Sequence, residues 1–80
     1  MDPADIQKLI EDALSDARVE VRTDGQGHYE ALVVSEHFEG QRSVQRHQLV
    51  YAALGQLVGR EIHALAVKTY TPLEWQAASQ

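Results

Sequence analysis

The spacing of hydrophobic residues changes several times along the chain and predicts alternating helices and strands. Apolar residues three and four positions apart predict one helix over about residues 3–16 and another over about residues 43–58. Thr71-Pro72-Leu73-Glu74 has the form of a capping box with proline in the first turn, which predicts a short last helix. Alternating or continuous apolar residues predict three strands, over about residues 17–23, 28–35 and 62–70.

The connections between these elements predict an α+β fold in a single domain spanning residues 1–80. Asp24-Gly25-Gln26-Gly27 is a flexible turn, and it joins the first two strands in an antiparallel hairpin. The helix between the second and third strands is a crossover connection, which favours a parallel strand pair. The order is therefore α-β-β-α-β-α, with a small three-stranded mixed sheet and helices packed on one face.

Capping signals and helical spacing predict how the second and last helices are placed. Ser43 is the expected N-cap of the second helix, and Gly59 lies just past its expected end. Residues 36–42 form a connector with one short helical turn, and Trp75 packs the last helix onto the body of the protein. The positions expected on the inner side of the second helix are Val44, His47, Val50, Tyr51, Leu54, Leu57 and Val58.

The absence of cysteine limits both the chemistry and the expected compartment. With no cysteine the chain forms no disulfide and no thiolate metal site of its own. It begins with acidic, helix-like sequence in place of the segments of a signal peptide, and no apolar run is long enough to cross a bilayer. These features predict a soluble cytoplasmic protein that does not act at a membrane.

The net charge of −5 is unevenly distributed along the chain. Residues 1–40 contain ten acidic and three basic residues, whereas residues 41–80 contain two acidic and four basic residues. The net negative charge opposes nucleic-acid binding, because such binding depends mainly on phosphate neutralisation. The basic second half keeps that alternative open, and its candidate contacts are Arg42, Arg46, Arg60 and Lys68.

Four histidines carry the main chemical signal, because neutral imidazole is the commonest metal ligand in proteins. From the local sequence, His63 is a polar residue inside the third strand, and His28 is an exposed residue next to the glycine turn. His47 is expected at the edge of the core, bonded to a backbone carbonyl, and His37 is expected at the surface. No pair has the i, i+4 spacing of a helical metal site, so only the fold could bring two of them together.

The sequence lacks the motifs of common enzyme families. It contains no Gly-x-Ser-x-Gly, no phosphate-binding loop and no dinucleotide fingerprint. Ser35, Ser43 and Ser79 have no neighbouring base that would activate them. The sequence therefore predicts a protein that is not an enzyme.

Several segments, taken together, resemble the BolA family. The matching residues are Val33-Val34-Ser35, Phe38-Glu39-Gly40, Arg46-His47-Gln48-Leu49-Val50-Tyr51, Leu54, Ile62-His63-Ala64-Leu65, Lys68-Thr69, Thr71-Pro72 and Glu74-Trp75. The resemblance spans nearly the whole chain, and the end of the chain is most similar to the short bacterial branch called IbaG or YrbA. The resemblance implies a fold similar to the type II KH domain.

The resemblance also implies a partner and a cofactor. Members of this family pair with monothiol glutaredoxins that carry a CGFS motif, and the heterodimer shares a [2Fe-2S] cluster. The glutaredoxin supplies one cysteine, and its bound glutathione supplies a second thiolate. By resemblance, His63 is the metal ligand in the Ile-His-Ala-Leu segment, and His28 is the metal ligand from the loop between strands 1 and 2. The chain alone is expected to hold no cofactor.

Three other functions stay open at this point. Some family members are described as transcriptional regulators, and nucleic-acid binding is the main alternative, although the chain lacks the Gly-x-x-Gly loop of KH domains. A second alternative is an adaptor that docks a glutaredoxin without holding metal, and a stress-response role is compatible with either. The sequence also leaves open whether the chain forms a homodimer.

Overall fold

The computed structural model describes residues 1–79 of the chain and contains the six predicted helices and strands in the predicted order. Two short 3₁₀ turns, Glu36–Phe38 and Gly55–Leu57, precede and follow the second helix. The elements are α1 (Pro3–Ala13), β1 (Arg18–Thr23), β2 (His28–Val34), α2 (Ser43–Leu54), β3 (Ala64–Tyr70) and α3 (Pro72–Ala78).

The sheet is mixed and has the strand order β1-β2-β3. β1 and β2 form the predicted antiparallel hairpin, in which Val21 lies opposite Ala31. β2 and β3 are parallel, as the helical crossover predicts, and Ala31 lies opposite Val67. Because β2 is central, β1 and β3 are the two edges of the sheet.

One face of the sheet forms the core with α1 and α2. Alternation along the strands directs Val19, Ala31 and Val33 to this face, where all three are buried. The opposite face carries Glu20, Glu30 and Lys68 and is called here the open face. The buried core consists of Ile6, Ile10, Leu14, Val19, Tyr29, Ala31, Val33, Phe38, Val50, Leu54 and Ile62.

α2 is shorter than its sequence pattern suggests, and it begins one residue earlier than expected. Its N-cap is Arg42, where Ser43 was expected, and the Arg42 main-chain N–H donates to Gln45 Oε1 at 3.0 Å. The helix ends at Leu54, where residue 58 was expected, because Gly55 takes a positive φ of 56°. The structure also ends α1 at residue 13, where residue 16 was expected.

The inner side of α2 is narrower than predicted. Val50 and Leu54 are buried, but Val44 is 61% exposed and Tyr51 is 39% exposed. At the helical rotation per residue, Tyr51 lies about 100° and Val44 about 120° around the axis from Val50, so neither enters the buried core beside Val50. The Tyr51 hydroxyl instead reaches the Leu65 carbonyl in β3, at 3.5 Å. Val58 lies beyond the end of the helix and is 37% exposed, so the expectation of burial was wrong for these three residues.

α3 is attached to the rest of the protein by an aromatic contact and an ion pair. The predicted capping box is present, since Glu74 N–H donates to Thr71 Oγ1 at 3.2 Å and Thr71 N–H donates to Glu74 Oε1 at 2.8 Å. The Trp75 ring lies 5.3 Å from the Tyr70 ring, which confirms that Trp75 packs α3 against β3. Within residues 1–79, no helix is long and apolar enough to cross a membrane.

Arg46 connects α2 to α3 and to the first 3₁₀ turn. Its guanidinium donates to both carboxylate oxygens of Glu74, at 2.7 and 3.2 Å, and its Nε donates to the Gln41 carbonyl at 2.8 Å. The guanidinium also lies 5.8 Å from the centre of the Phe38 ring. Hydrogen bonds from Arg46, and then from the Thr71 main chain, lower the pKa of Glu74 to about 2.

We expect the Arg46–Glu74 pair to make stability depend on pH in the acid range. The folded pKa of Glu74, about 2, is below its ordinary value of 4.5. The stability that the ionised carboxylate contributes is therefore present above about pH 4.5 and lost as the pH falls toward about 2. The melting temperature of Glu74→Gln should lie below that of the wild type near neutral pH, and the gap should close over this window.

Comparing the wild type with the Glu74→Gln variant separates the contribution of Glu74 to stability from the contributions of the other carboxyl groups. The pKa of Asp16 and that of Asp24 are also lowered, so both proteins should lose stability in acid. A matched substitution at the exposed Glu61, Glu61→Gln, should leave the melting temperature close to that of the wild type at every pH. A gap between the wild type and Glu74→Gln that stays constant across the window would contradict the assignment.

Candidate functional site

His63 lies at the point where β3 begins, next to the loop between β1 and β2. Its main-chain N–H donates to the Gly27 carbonyl at 2.8 Å, and the N–H of Ala64 donates to the same carbonyl at 3.1 Å. Because Ala64 is the first residue of β3, His63 is in a bend just before the strand, where the sequence placed it inside the strand. Its side chain is on the exposed surface of the protein.

The His63 imidazole lies directly against Gly27. A Cβ atom at Gly27 would overlap Cδ2 of the His63 ring and lie 3.0 Å from its Cγ. Gly27 also has a positive φ of 83°, a backbone conformation that favours glycine. Gly25 has a similar φ of 81°, but a Cβ there would meet nothing within 4 Å. Gly27 is therefore required for two reasons, of which the contact with His63 is specific to this position.

His28 is the first residue of β2 and follows Gly27 directly. Its Nδ1 lies 2.7 Å from Asp24 Oδ2, and Asp24 Oδ1 accepts a hydrogen bond from the Gln26 N–H at 2.7 Å. The Gln26 hydrogen bond, followed by the His28 hydrogen bond, lowers the pKa of Asp24 and keeps it ionised near neutral pH. A neutral His28 ring that donates through Nδ1–H has its lone pair on Nε2, on the side away from Asp24.

The structure brings the two predicted metal ligands to the same end of the sheet. The parallel register places His28 opposite Ala64, and His63 contacts Gly27, the residue before His28. Within residues 1–79, no group of three or more His, Cys, Asp or Glu side chains is arranged to hold a metal ion. Within residues 1–79, His28 and His63 therefore lack the further ligands that a metal site would need.

His47 is half-buried on α2, at the edge of the core as predicted. The described part of the chain contains no hydrogen bond to its ring, so the expected bond to a backbone carbonyl is not formed. His47 lies in the middle of α2 and, within residues 1–79, forms no hydrogen bond or ion pair with His28 or His63, so it is not part of the candidate site.

A cluster around Asp16 was not predicted from the sequence. The Ser35 hydroxyl donates to Asp16 Oδ1 at 2.7 Å, the Glu36 N–H donates to Asp16 Oδ2 at 2.7 Å, and His37 Nδ1 lies 2.9 Å from Asp16 Oδ1. Burial raises the pKa of Asp16, but these hydrogen bonds outweigh it and lower the pKa overall. The only sequence signal was that Ser35, a residue type that often caps helices, precedes the 3₁₀ turn.

The Asp16 cluster is structural. In a catalytic triad the histidine meets its carboxylate and its serine through different ring nitrogens. Here Asp16 and Ser35 both approach the same nitrogen, His37 Nδ1, at 2.9 and 3.1 Å. The cluster therefore holds the residues after α1 against the start of the 3₁₀ turn.

The four basic residues proposed for nucleic-acid contact are not gathered on one surface. Arg42 is at the start of α2 and Arg60 follows its end, and a helix of this length spans about 18 Å. Arg46 is only 13% exposed and is bonded to Glu74. Lys68 lies on the open face, with Nζ 3.3 Å from Glu30 Oε1.

Comparison with known proteins identifies relatives over nearly the whole chain. The chain is 40% identical to human BolA-like protein 1 over 86 residues, which cover 96% of this chain and 63% of the relative. It is 38% identical to the acid stress protein IbaG of Escherichia coli K12, over 94% of this chain and 89% of the relative. The second match agrees with the predicted similarity to the IbaG branch.

A further relative and a solved structure extend these matches. The DNA-binding transcriptional regulator BolA of Vibrio cholerae is 47% identical over 55 residues, which cover 69% of this chain and 52% of the relative. The solved structure of a bolA protein homologue from Coxiella burnetii has a TM-score of 0.83 and 47% identity, over 95% of this chain and 97% of that one.

A model of a known protein family matches most of the chain, including the residues of the candidate site. The model of the BolA-like protein family matches residues 4–74, a range that contains the hairpin, His28, His63 and the α3 capping box. The identity, the shared fold and this match agree, and the chain belongs to the BolA family.

Proposed function

We propose that this protein is a partner of a monothiol glutaredoxin and supplies His63 and His28 as ligands to a shared [2Fe-2S] cluster. The observation that supports the proposal is the contact of the His63 ring with Gly27, which places His63 beside the loop that carries His28. The protein acts in cluster assembly, transfer or sensing and catalyses no reaction itself. The names of its relatives describe a stress protein and a regulator, and they indicate no catalytic family.

The donor atoms of the chain fit one half of such a site. Iron–sulfur clusters are held mainly by cysteine thiolates, and in Rieske centres two histidines replace two cysteines on one iron. This chain has no cysteine, and the imidazoles of His28 and His63 are exposed at one end of the sheet. A cysteine of the glutaredoxin and the thiolate of its bound glutathione would supply the remaining ligands.

The surroundings of His28 suit a ligand role. A carboxylate that accepts a hydrogen bond from the far ring nitrogen orients a ligating histidine and increases its basicity. Asp24 has this position relative to His28, and its pKa is lowered, so it is ionised near neutral pH. With His28 held in this way, Nε2 is the nitrogen available for iron.

The use of imidazole in place of thiolate has a chemical consequence. Neutral ligands remove negative charge from the site and raise the reduction potential of the cluster. Protonation of either imidazole would also prevent it from binding iron, so ligation should weaken in acid. Both properties favour a role in transferring or sensing clusters over a role in storing them.

We expect His63→Ala to abolish the characteristic spectrum of the shared cluster and His28→Ala to weaken or alter it. The cluster would be assembled under anaerobic conditions from the wild type or a variant, a monothiol glutaredoxin and glutathione. Visible absorption and circular dichroism then report which ligands hold the iron. His37→Ala is the matched control, because His37 follows the opposite end of β2, which lies about 20 Å along the strand from His28.

The same samples separate this proposal from an adaptor role. If the protein only docks the glutaredoxin, the His63→Ala complex should keep both its affinity and a spectrum identical to that of the wild type. That result would overturn the ligand assignment while leaving the partnership intact. A lack of any complex, with or without cluster, would overturn the partnership as well.

We expect Gly27→Ala to damage the site more than Gly25→Ala. Both glycines have positive φ, so each alanine should cost about 1–2 kcal/mol of unfolding free energy from the left-handed backbone. Only alanine at Gly27 overlaps the His63 ring, so only this variant should also displace the ligand. Urea unfolding measures the shared cost, and the circular dichroism of the cluster measures the specific one. Equal spectral changes in the two variants would show that the Gly27–His63 contact does not position the ligand.

Nucleic-acid binding is the second candidate function, since the Vibrio cholerae relative is named a DNA-binding transcriptional regulator. The distribution of basic residues supports it less well. Arg42 and Arg60 lie at opposite ends of α2, and Arg46 is bonded to Glu74. Because such binding depends on several phosphate contacts along one surface, the scattered arrangement favours the cluster proposal.

A further inference from the structure

β1 is an edge strand whose outer main-chain groups have no partner in the described part of the chain. The N–H of Asp24 donates to the His28 carbonyl at 3.3 Å, which places Asp24 in a hydrogen-bonded pair with β2. Main-chain groups of an antiparallel strand alternate in direction, so the even-numbered residues of β1 bond to β2. The N–H and carbonyl groups of Val19, Val21 and Thr23 therefore point away from the sheet.

The other edge of the sheet is partly covered. The same alternation directs the main-chain groups of Leu65 outward from β3, and the Tyr51 hydroxyl donates to the Leu65 carbonyl at 3.5 Å. β3 also contacts α2, which runs beside it. α1 packs against β1, but within residues 1–79 the outer main-chain groups of β1 accept or donate no hydrogen bond, so β1 is the edge available to another strand.

The side chains of β1 on the open face alternate in charge. Arg18, Glu20 and Arg22 are exposed, and Asp24 continues the series just after the strand. Within residues 1–79, these three side chains form no ion pair and no side-chain hydrogen bond. A row of one sign would repel a second copy of the strand, whereas an alternating row is complementary to its own reverse.

We propose that the outer edge of β1 pairs antiparallel with the same edge of a second copy of this chain, with Val21 opposite Val21. In this register Glu20 lies opposite Arg22 of the second copy, and Arg18 lies opposite Asp24 of the second copy. The outward groups of Val19 bond to those of Thr23, which completes the main-chain ladder. The inference goes beyond the proposed function, because it needs neither a glutaredoxin nor a metal.

Charge and the length of β1 select this register from its neighbours. An axis at Glu20 would place Glu20 opposite Glu20 and Arg18 opposite Arg22, which are repulsive pairs. An axis at Val19 would pair Arg18 with Glu20, but only residues 18–20 of each β1 would then face β1 of the second copy, whereas residues 19–23 do so in the Val21 register. In the Val21 register the charged pairs occupy the non-hydrogen-bonded positions, where facing side chains are closest.

The strand is six residues long, so the dimer is weak and depends on concentration and salt. Sedimentation velocity of the intact protein, from about 10 µM to about 1 mM, should show a monomer–dimer equilibrium. The equilibrium should shift toward monomer when salt rises from about 50 mM to about 500 mM, because the facing charges are exposed.

Charge reversal gives the decisive comparison. Glu20→Arg and Arg22→Glu should each raise the dissociation constant about tenfold or more, because each makes two facing pairs repulsive. The double variant Glu20→Arg/Arg22→Glu should restore the dimer in the Val21 register only. An equal mixture of the two single variants should form a heterodimer, although neither variant dimerises well alone.

Two controls test whether the effect is specific to the β1 edge and whether each variant is folded. Glu61→Arg changes the net charge by the same amount as Glu20→Arg at another exposed position and should leave the dissociation constant unchanged. Far-ultraviolet circular dichroism verifies that each variant is folded. A wild type that stays monomeric throughout the range, a dimer insensitive to both reversals, or a double variant that fails to recover would overturn the proposal.

Discussion

The hydrogen bonds that the Gly27 carbonyl accepts from His63 and Ala64 join the hairpin to the chain returning from α2. They begin the parallel pairing of β2 with β3 and so close the sheet on which α1 and α2 pack. The same close approach presses the His63 ring against Gly27, where only a residue without Cβ fits. The same close approach therefore both pairs β3 with β2 and positions the candidate ligand, and a change at Gly27 should affect both.

Much of the charge in this small protein serves to hold short connections in place. Arg46 joins α2, α3 and the Gln41 main chain, and Asp16 joins the end of the first helical segment to Ser35 and the turn after β2. These groups have carboxylate pKa values below the ordinary range, so they stabilise the fold near neutral pH. The Arg46 guanidinium is consequently unavailable as the phosphate contact that its sequence position suggested.

The polar atoms that form no hydrogen bond or ion pair within residues 1–79 are informative for the opposite reason. His63 and the Nε2 atom of His28 are exposed at one end of the sheet, and Arg18, Glu20 and Arg22 are exposed along one edge. The first set suits a partner that brings thiolates, and the second suits another copy of the same strand. The two sets lie on different parts of the surface, although Asp24 is near both, since it contacts His28 and follows the end of β1.

The sequence by itself determined the element order, the hairpin, the parallel crossover and the α3 capping box, because each depends on periodicity or on residues a few positions apart. It also singled out His63 and His28 through the family resemblance. Only the tertiary structure decided that α2 stops at Leu54, that Tyr51 and Val44 face outward, and that His63 precedes β3. It alone revealed the Asp16 cluster, in which Asp16 lies 19 to 21 residues along the chain from Ser35, Glu36 and His37. Such features arise when distant segments compete for the same hydrogen bonds and the same space, which no local pattern records.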